Sequence, residues 1–308
     1  MELLQALKCV AGAVAKSDYM PALQHIAIGG GYAVSFNGTV AICAPVVLDL
    51  AACPNADLFV KAIEACVEPA QLHLTEHGLV VKSGPLQVTV PCTANTFPRV
   101  VPEGFTCPID ATFLQALQTL APYVSTDTTR QAFNGVLFRD SSAYATNNTI
   151  LVEYWCGSKL PVDINIPLVA VRELLRMGDT PSHAQLCDRS ATFHYADGRW
   201  LRTVLHPTVW PPSLTALLSH ATAPALPDGF FEALARLAPF GEDVRLLESK
   251  LVTEAAAYEV PGIPAGARFS LRQLASLEDI ATAIAFADYP QPCRFTGERT
   301  RGVILGRI

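Results

Sequence analysis

Phe113-Leu114-Gln115-Ala116-Leu117-Gln118-Thr119-Leu120 decides the fold, because its pattern occurs three times. It opens the chain as Leu3-Leu4-Gln5-Ala6-Leu7-Lys8-Cys9-Val10, 110 positions earlier, and returns as Phe230-Phe231-Glu232-Ala233-Leu234-Ala235-Arg236-Leu237, 117 positions later. Each copy reads apolar, apolar, polar, Ala, Leu, polar or small, any, apolar. Apolar residues at i, i+1, i+4 and i+7 form one stripe of a helix.

A second amphipathic helix follows each first one, over Leu58 to Val67, Leu168 to Met177 and Leu271 to Ala285. The helix starts are 55, 55 and about 41 residues apart. Short alternating runs lie around them, bounded by turn residues: His25-Ile26-Ala27-Ile28 and Tyr32 to Phe36; Val136 to Phe138 and Ile150 to Tyr154, flanking Asn147-Asn148; Gln71 to Leu74, Leu79 to Lys82 and Gln87 to Val90; and Ala191 to Tyr195. Alternation with β-branched residues predicts strands, and the turns predict antiparallel hairpins. Phe97-Pro98 and Trp210-Pro211 each close a unit with an aromatic and a proline that ends strand pairing. The reading is α+β, three copies of helix, strands, helix, strands, with linkers near Val101-Pro102-Glu103-Gly104 and Ala221-Thr222-Ala223-Pro224. The domains fall at 1–103, 104–223 and 224–308. The short third copy is expected to lack a strand pair between its helices.

Composition narrows the function. The 308 residues are 50% hydrophobic and 16% charged, enough apolar material for real cores. The net charge of −6 excludes a generally basic nucleic-acid glove, so any such contact is local or geometric. No run approaches the length of a membrane span, and Met1-Glu2-Leu3-Leu4 lacks the basic start of a signal peptide. The nine cysteines are odd in number, scattered and without a Cys-x-x-Cys, which reads as reduced, mostly buried thiols of a cytoplasmic protein.

Further residues carry a resemblance. Phe133-Asn134-Gly135-Val136-Leu137-Phe138, then Ala145-Thr146-Asn147-Asn148-Thr149-Ile150-Leu151-Val152, is similar to Leu-Asn-Gly-Met-Leu-Phe and Ala-Thr-Asp-Gly-His-Arg-Leu-Ala of the bacterial β sliding clamps, the β subunits of DNA polymerase III. Lys82-Ser83-Gly84 resembles that family's Arg-Ser-Gly hairpin, and Trp210-Pro211 its Phe-Pro. The tail Gly302-Val303-Ile304-Leu305-Gly306-Arg307-Ile308 resembles Val-Val-Met-Pro-Met-Arg-Leu. The resemblance implies three clamp-type domains per chain, each with two helices packed on antiparallel sheets. Two chains would join head to tail into a ring, first domain to third. The implied function is a processivity factor that encircles double-stranded DNA without sequence preference. It tethers a DNA polymerase and clamp-loader subunits by short linear motifs, with no cofactor, metal or chemistry. The shortened third domain and loose motifs suggest a phage-encoded relative in a host cytoplasm.

Encirclement asks that the helices be less acidic than the rest of the chain. The expected helices carry Lys8, Lys16, Lys61, Arg172, Arg176, Arg236 and Arg272 as DNA-facing cations. Seven acidic residues balance these seven: Glu2, Asp57, Glu64, Glu173, Glu232, Glu278 and Asp279. The same charges also suit ordinary solvated helix faces.

By position, the family's partner-peptide pocket would be walled by Phe133, Thr146, Asn148, Thr149, Ile150, Leu151, Pro211, Ile304, Leu305, Gly306, Arg307 and Ile308. Apolar anchors entering such a slot, with backbone bonds fixing register, is ordinary peptide recognition. Asn148 tolerates the left-handed turn of the family's Gly. Ile150 for Arg makes the site more apolar, and Leu305 and Gly306 replace Pro and Met. These changes point to a different peptide preference.

Catalytic patterns are missing. There is no Gly-x-Ser-x-Gly, Walker loop, Gly-x-Gly-x-x-Gly or His-Glu-x-x-His. His73 and His77 have metal-ligand spacing for a helix, but their segment reads as a hairpin. Cys187 with His183 or His194 would lack an orienting third group. Two alternatives stay open: a clamp-fold interaction or decoy protein that does not encircle DNA, and a cytosolic enzyme.

Overall fold

The computed structural model describes residues 2–17, 20–218 and 223–308. Ala221 and Thr222 of the expected second linker lie outside them. In chain order the elements are α1 (Leu3–Ala11), β1 (Ala27–Gly29), β2 (Tyr32–Phe36), β3 (Val40–Pro45), α2 (Ala56–Glu64), β4 (Gln71–Thr75), β5 (Gly78–Ser83) and β6 (Leu86–Val90). A second pass gives β7 (Phe105–Pro108), α3 (Ala111–Leu120), β8 (Gly135–Arg139), β9 (Ser142–Thr146), β10 (Ile150–Trp155), β11 (Ile164–Pro167), α4 (Leu168–Met177), β12 (His183–Leu186), β13 (Ser190–His194), β14 (Trp200–Val204) and α5 (Pro212–Leu217). The third gives α6 (Phe230–Leu237), β15 (Asp243–Leu247), β16 (Lys250–Val252), β17 (Ala257–Glu259), β18 (Arg268–Ser270), α7 (Leu271–Ala275), β19 (Ala283–Ile284), β20 (Cys293–Thr296) and β21 (Thr300–Ile304). It is an α+β chain of antiparallel sheets with helices on them.

The repeated helix pattern is the buried one. Ala6 and Leu7, Ala116 and Leu117, and Ala233 and Leu234 are all fully buried. The small Ala lets each helix approach its sheet while Leu fills the space beside it. Local chemistry sets several ends. Asn55 Oδ1 accepts from Leu58 N at 3.1 Å and caps α2. Gly178, at φ 77°, ends α4 in the left-handed conformation.

Two expectations fail in the third pass. Four strands, β15 to β18, lie between its helices, so the expected missing pair is present. The shortening falls on α7, which stops at Ala275 rather than Ala285; turns follow before β19. Leu274, Leu277 and Ile280 remain buried there. Apolar spacing read from sequence therefore extended the helix through turns that bury the same stripe.

The chain divides into two compact units, residues 1–114 with 166–205, and residues 115–165 with 206–308. The first holds a seven-stranded sheet, order β1-β2-β3-β14-β13-β12-β7, and a three-stranded sheet, β4-β5-β6. Its large sheet is continuous because β3 pairs with β14, with Val40 opposite Thr203 and Cys43 opposite Trp200. The second unit holds the other seven-stranded sheet, β11-β8-β9-β10-β21-β20-β19, and a four-stranded sheet, β17-β16-β15-β18. Here β10 pairs with β21, with Ile150 opposite Ile304 and Leu151 opposite Val303.

Candidate partner-binding site and helix charges

All twelve pocket residues named from sequence lie in the second unit. Phe133 and Leu151 share a buried apolar cluster with Leu137, Trp210, Leu218 and Val303, against which Ala132, Tyr144 and Leu214 pack. Trp210 is its centre. Its ring meets Phe133 edge-on at 5.2 Å and Tyr144 at 6.4 Å, and its Nε1 donates to Ala132 O at 2.9 Å. Asn165 Nδ2 donates to the same carbonyl at 2.8 Å and to Pro207 O at 2.7 Å, which fixes the backbone leading into Trp210. Pro211 follows on the exposed side.

The turn from β9 to β10 is built by side chains. Asn147 Oδ1 accepts from Thr149 N and Ile150 N at 3.1 and 2.8 Å, and Thr146 Oγ1 donates to Ile150 O at 2.9 Å. Asn148 takes φ 72°, as expected for an Asn in place of Gly, and its Oδ1 accepts from Arg130 at 2.9 Å.

Strand alternation then splits the expected pocket. Leu151 faces the Trp210 cluster. Its neighbour Ile150 faces a separate open cleft of ≈ 890 Å³, lined also by Pro122, Leu271, Arg272 and Arg307. Ile304, opposite Ile150, is fully buried. The tail leaves β21 tethered: Leu305 N donates to Thr149 O at 2.9 Å, and Arg307 N to Arg268 O at 2.7 Å. The Arg307 guanidinium reaches Asp243 at 2.6 Å, and Tyr289 OH donates to Arg307 O at 2.7 Å. Arg307 is thus anchored away from the Trp210 cluster. A Cβ on Gly306 would lie 2.5 Å from the Tyr289 ring, so Gly is required there. Leu305 is half-exposed and Ile308 fully exposed.

Sequence reading missed Tyr144, Leu214, Leu218, Asp243, Arg268 and Tyr289. Tyr144 stands just before the quoted Ala145–Val152 motif and outside it; the others have no periodic signal.

Of the seven expected helix cations, Lys16 lies beyond the end of α1. The other six are in helices, while only four acids are: Asp57, Glu64, Glu173 and Glu232. The seven-against-seven balance therefore becomes a small excess of positive charge, because Glu2, Glu278 and Asp279 also fall outside the helices. Ion pairs join Lys8 to Glu64, Lys61 to Asp57, Arg176 to Glu173 and Arg236 to Glu232. Arg172 and Arg272 are exposed and without an ion pair among the described residues.

The hairpin expected around His73 and His77 forms, with Thr75 opposite Gly78, and separates the two rings from a shared helical face. Cys187 Sγ lies 3.1 Å from Ser190 Oγ, whereas His183 stacks on His194 at 4.6 Å. No Cys–His pair forms there. Among the described residues no group of His, Cys, Asp and Glu could hold a metal, and no helix is long and apolar enough to cross a membrane.

Solved structures decide the architecture. The DNA polymerase III subunit β of Pseudomonas aeruginosa superposes with a TM-score of 0.85, covering 99% of this chain and 97% of that one at 19% identity. The chain has the bacterial β sliding-clamp fold. The Caulobacter crescentus pol III β gives 0.84 at 19% identity, over 99% and 97% of the two chains. The Thermotoga maritima DNA polymerase III β subunit gives 0.81 at 15%, over 100% and 97%. No family model and no curated protein matches the sequence. The clamp fold thus persists here on a sequence that shares fewer than one residue in five with these structures.

Proposed function

We propose that the chain is a DNA sliding clamp, a ring-shaped tether without chemistry of its own. Copies joined head to tail encircle double-stranded DNA in the cytoplasm and hold a polymerase and other partners. The observation that carries this reading is the sheet inventory. Two sheets have seven strands each and are completed by joining one pass of the chain to the next. The remaining three- and four-stranded sheets come from the first and third passes, and together they also supply seven strands. A second copy would complete them in the same way. Such a contact uses two different surfaces, so it closes into a ring if the rotation allows. Three clamp domains per chain, at 1–103, 104–223 and 224–308, fit closure by two chains.

Encirclement needs little attraction, since topology prevents escape. The helices supply a slight excess of positive charge, with Arg172 and Arg272 free to meet phosphates, in a chain whose net charge is −6. The partner peptide fits beside the Trp210 cluster, where Pro211 and the exposed Leu305 and Ile308 offer apolar contact over the buried Leu151. The test is solution mass over a concentration range, followed by retention on circular and on linear duplex DNA. A mass near twice the 33.0 kDa chain, with salt-resistant retention only on circles, is expected. A monomer at every concentration would replace the ring with a clamp-fold interaction protein that binds partners without encircling DNA.

A further inference from the structure

We propose that β4 is a docking edge: an extended segment of another protein, apolar at two alternating positions and basic at both ends, adds to it as an antiparallel strand.

The repeat shows what belongs beside β4. In the second pass, β7 stands just before the first helix and pairs antiparallel with β12, with Cys107 opposite Ala184 and Phe105 opposite Leu186. In the third pass, the residues before α6 do the same. Ala225 bridges Ala283, Ile284 N donates to Pro224 O at 3.0 Å, and Leu226 N donates to Thr282 O at 2.9 Å. Among the described residues of the first pass, only Glu2 stands before α1, and β4 is paired on one side alone, to β5.

Two leucines record the difference. The strands β4-β5-β6 follow α2 as β12-β13-β14 follow α4. Leu72 and Leu74 lie opposite Val81 and Leu79, which are fully buried. Ala184 and Leu186 lie opposite Phe193 and Ala191, which are fully buried too. Leu72 and Leu74 therefore take the places of Ala184 and Leu186, on the face that looks into the core. Ala184 and Leu186 are fully buried beside β7, whereas Leu74 is 53% exposed and Leu72 only partly covered. An added strand with apolar residues opposite these two would cover them, while its backbone pairs with the open edge of β4.

Charge selects the rest of the occupant. Gln71-Leu72-His73-Leu74-Thr75 holds no Lys, Arg, Asp, Glu or Pro, and its register with β5 runs without a bulge, so nothing on the strand repels a neighbour. Exposed Glu68 and Glu76 stand before and after it, and neither is ion-paired to a Lys or Arg among the described residues. His77 lies 3.4 Å from Glu76, and the exposed Lys82 sits one strand inward, opposite Gln71. Basic residues at the two ends of the incoming segment complement these acids.

The experiment measures fluorescence anisotropy of a labelled synthetic peptide, Lys-Thr-Val-Thr-Val-Thr-Lys, against the full chain. Saturable binding is expected, and replacing both Val by Ser should abolish it. Backbone N-methylation of the two Val, or instead of the three Thr, blocks one edge of the peptide at a time. Only one of these two peptides should bind, because a strand added to β4 uses one edge. Leu74→Lys is expected to weaken binding at least about 10-fold, with circular dichroism and solution mass unchanged. Leu247→Lys, at an exposed leucine of another sheet, should leave binding unaltered. Absence of saturable binding, equal binding of both N-methylated peptides, or full binding by Leu74→Lys overturns the proposal. Self-association that Leu74→Lys abolishes and the peptide does not compete with would assign the edge to a second copy and overturn it as well.

Discussion

Arg301 and Glu153 face each other across β10 and β21, with the guanidinium Nε 2.5 Å from a carboxylate whose side chain is 7% exposed. Ser142 Oγ donates to the same carboxylate at 2.7 Å. A buried carboxylate stripped of its cation is left charged in a poor solvent. Arg301→Met is expected to cost about 3 kcal/mol. Urea unfolding followed by circular dichroism checks this, and an unmoved midpoint would refute it.

Trp210 holds the apolar cluster together by area and by one hydrogen bond. Trp210→Ala leaves a cavity between Phe133, Leu151 and Val303 and is expected to cost about 3–5 kcal/mol. Trp210→Phe keeps most of the packing but leaves the Ala132 carbonyl one donor short, and should cost far less. Differential scanning calorimetry of the pair separates them; equal losses would show that ring packing is unimportant.

Gly302 lies where β21 crosses both β10 and Phe295. A Cβ there would stand 2.2 Å from Leu151 O and 2.4 Å from the Phe295 ring. Gly302→Ala is therefore expected to destabilise by about 1–3 kcal/mol through overpacking. The measurement is again an unfolding midpoint, with a Gly262→Ala control at a site with open space but left-handed backbone. A larger loss at Gly262 would mean that backbone conformation, rather than contact, governs these glycines.

The stacked rings of His183 and His194 make stability depend on pH. Burial, and then the neighbouring His183, hold His194 below the usual histidine value. The unfolded chain thus takes up a proton at a higher pH than the folded one. This contribution to stability is present above about pH 6.5 and is lost as pH falls through the lower folded value. His206, also lowered by burial, acts in the same direction. The unfolding midpoint is expected to drop between pH 7 and 5, and His194→Gln should flatten part of that slope. An identical slope in the variant would remove His194 as a contributor.

The helix stripes were legible because burial and periodicity coincide: Leu168–Met177 and Phe230–Leu237 match the structure at both ends. Strand β3 escaped because Val40–Pro45 is nearly all buried and has no alternation to read. The turn at Asn147 was readable from its side-chain chemistry, but the facing of Ile150 and Leu151 was not. Position in a motif names a residue without saying which side of a strand it occupies. Asp243 and Tyr289 were invisible for another reason: they act on the tail from elements far away in sequence.

The β9–β10 turn has a consequence for tolerated change. Loops usually accept insertions, and residues 147–149 would look permissive. One residue added here and absorbed by sliding β10 would turn every side chain of that strand over. Leu151 would leave the Trp210 cluster and Glu153 would lose Arg301. Library selection for length variants should therefore find this short turn closed to single insertions, while paired insertions that restore strand phase survive.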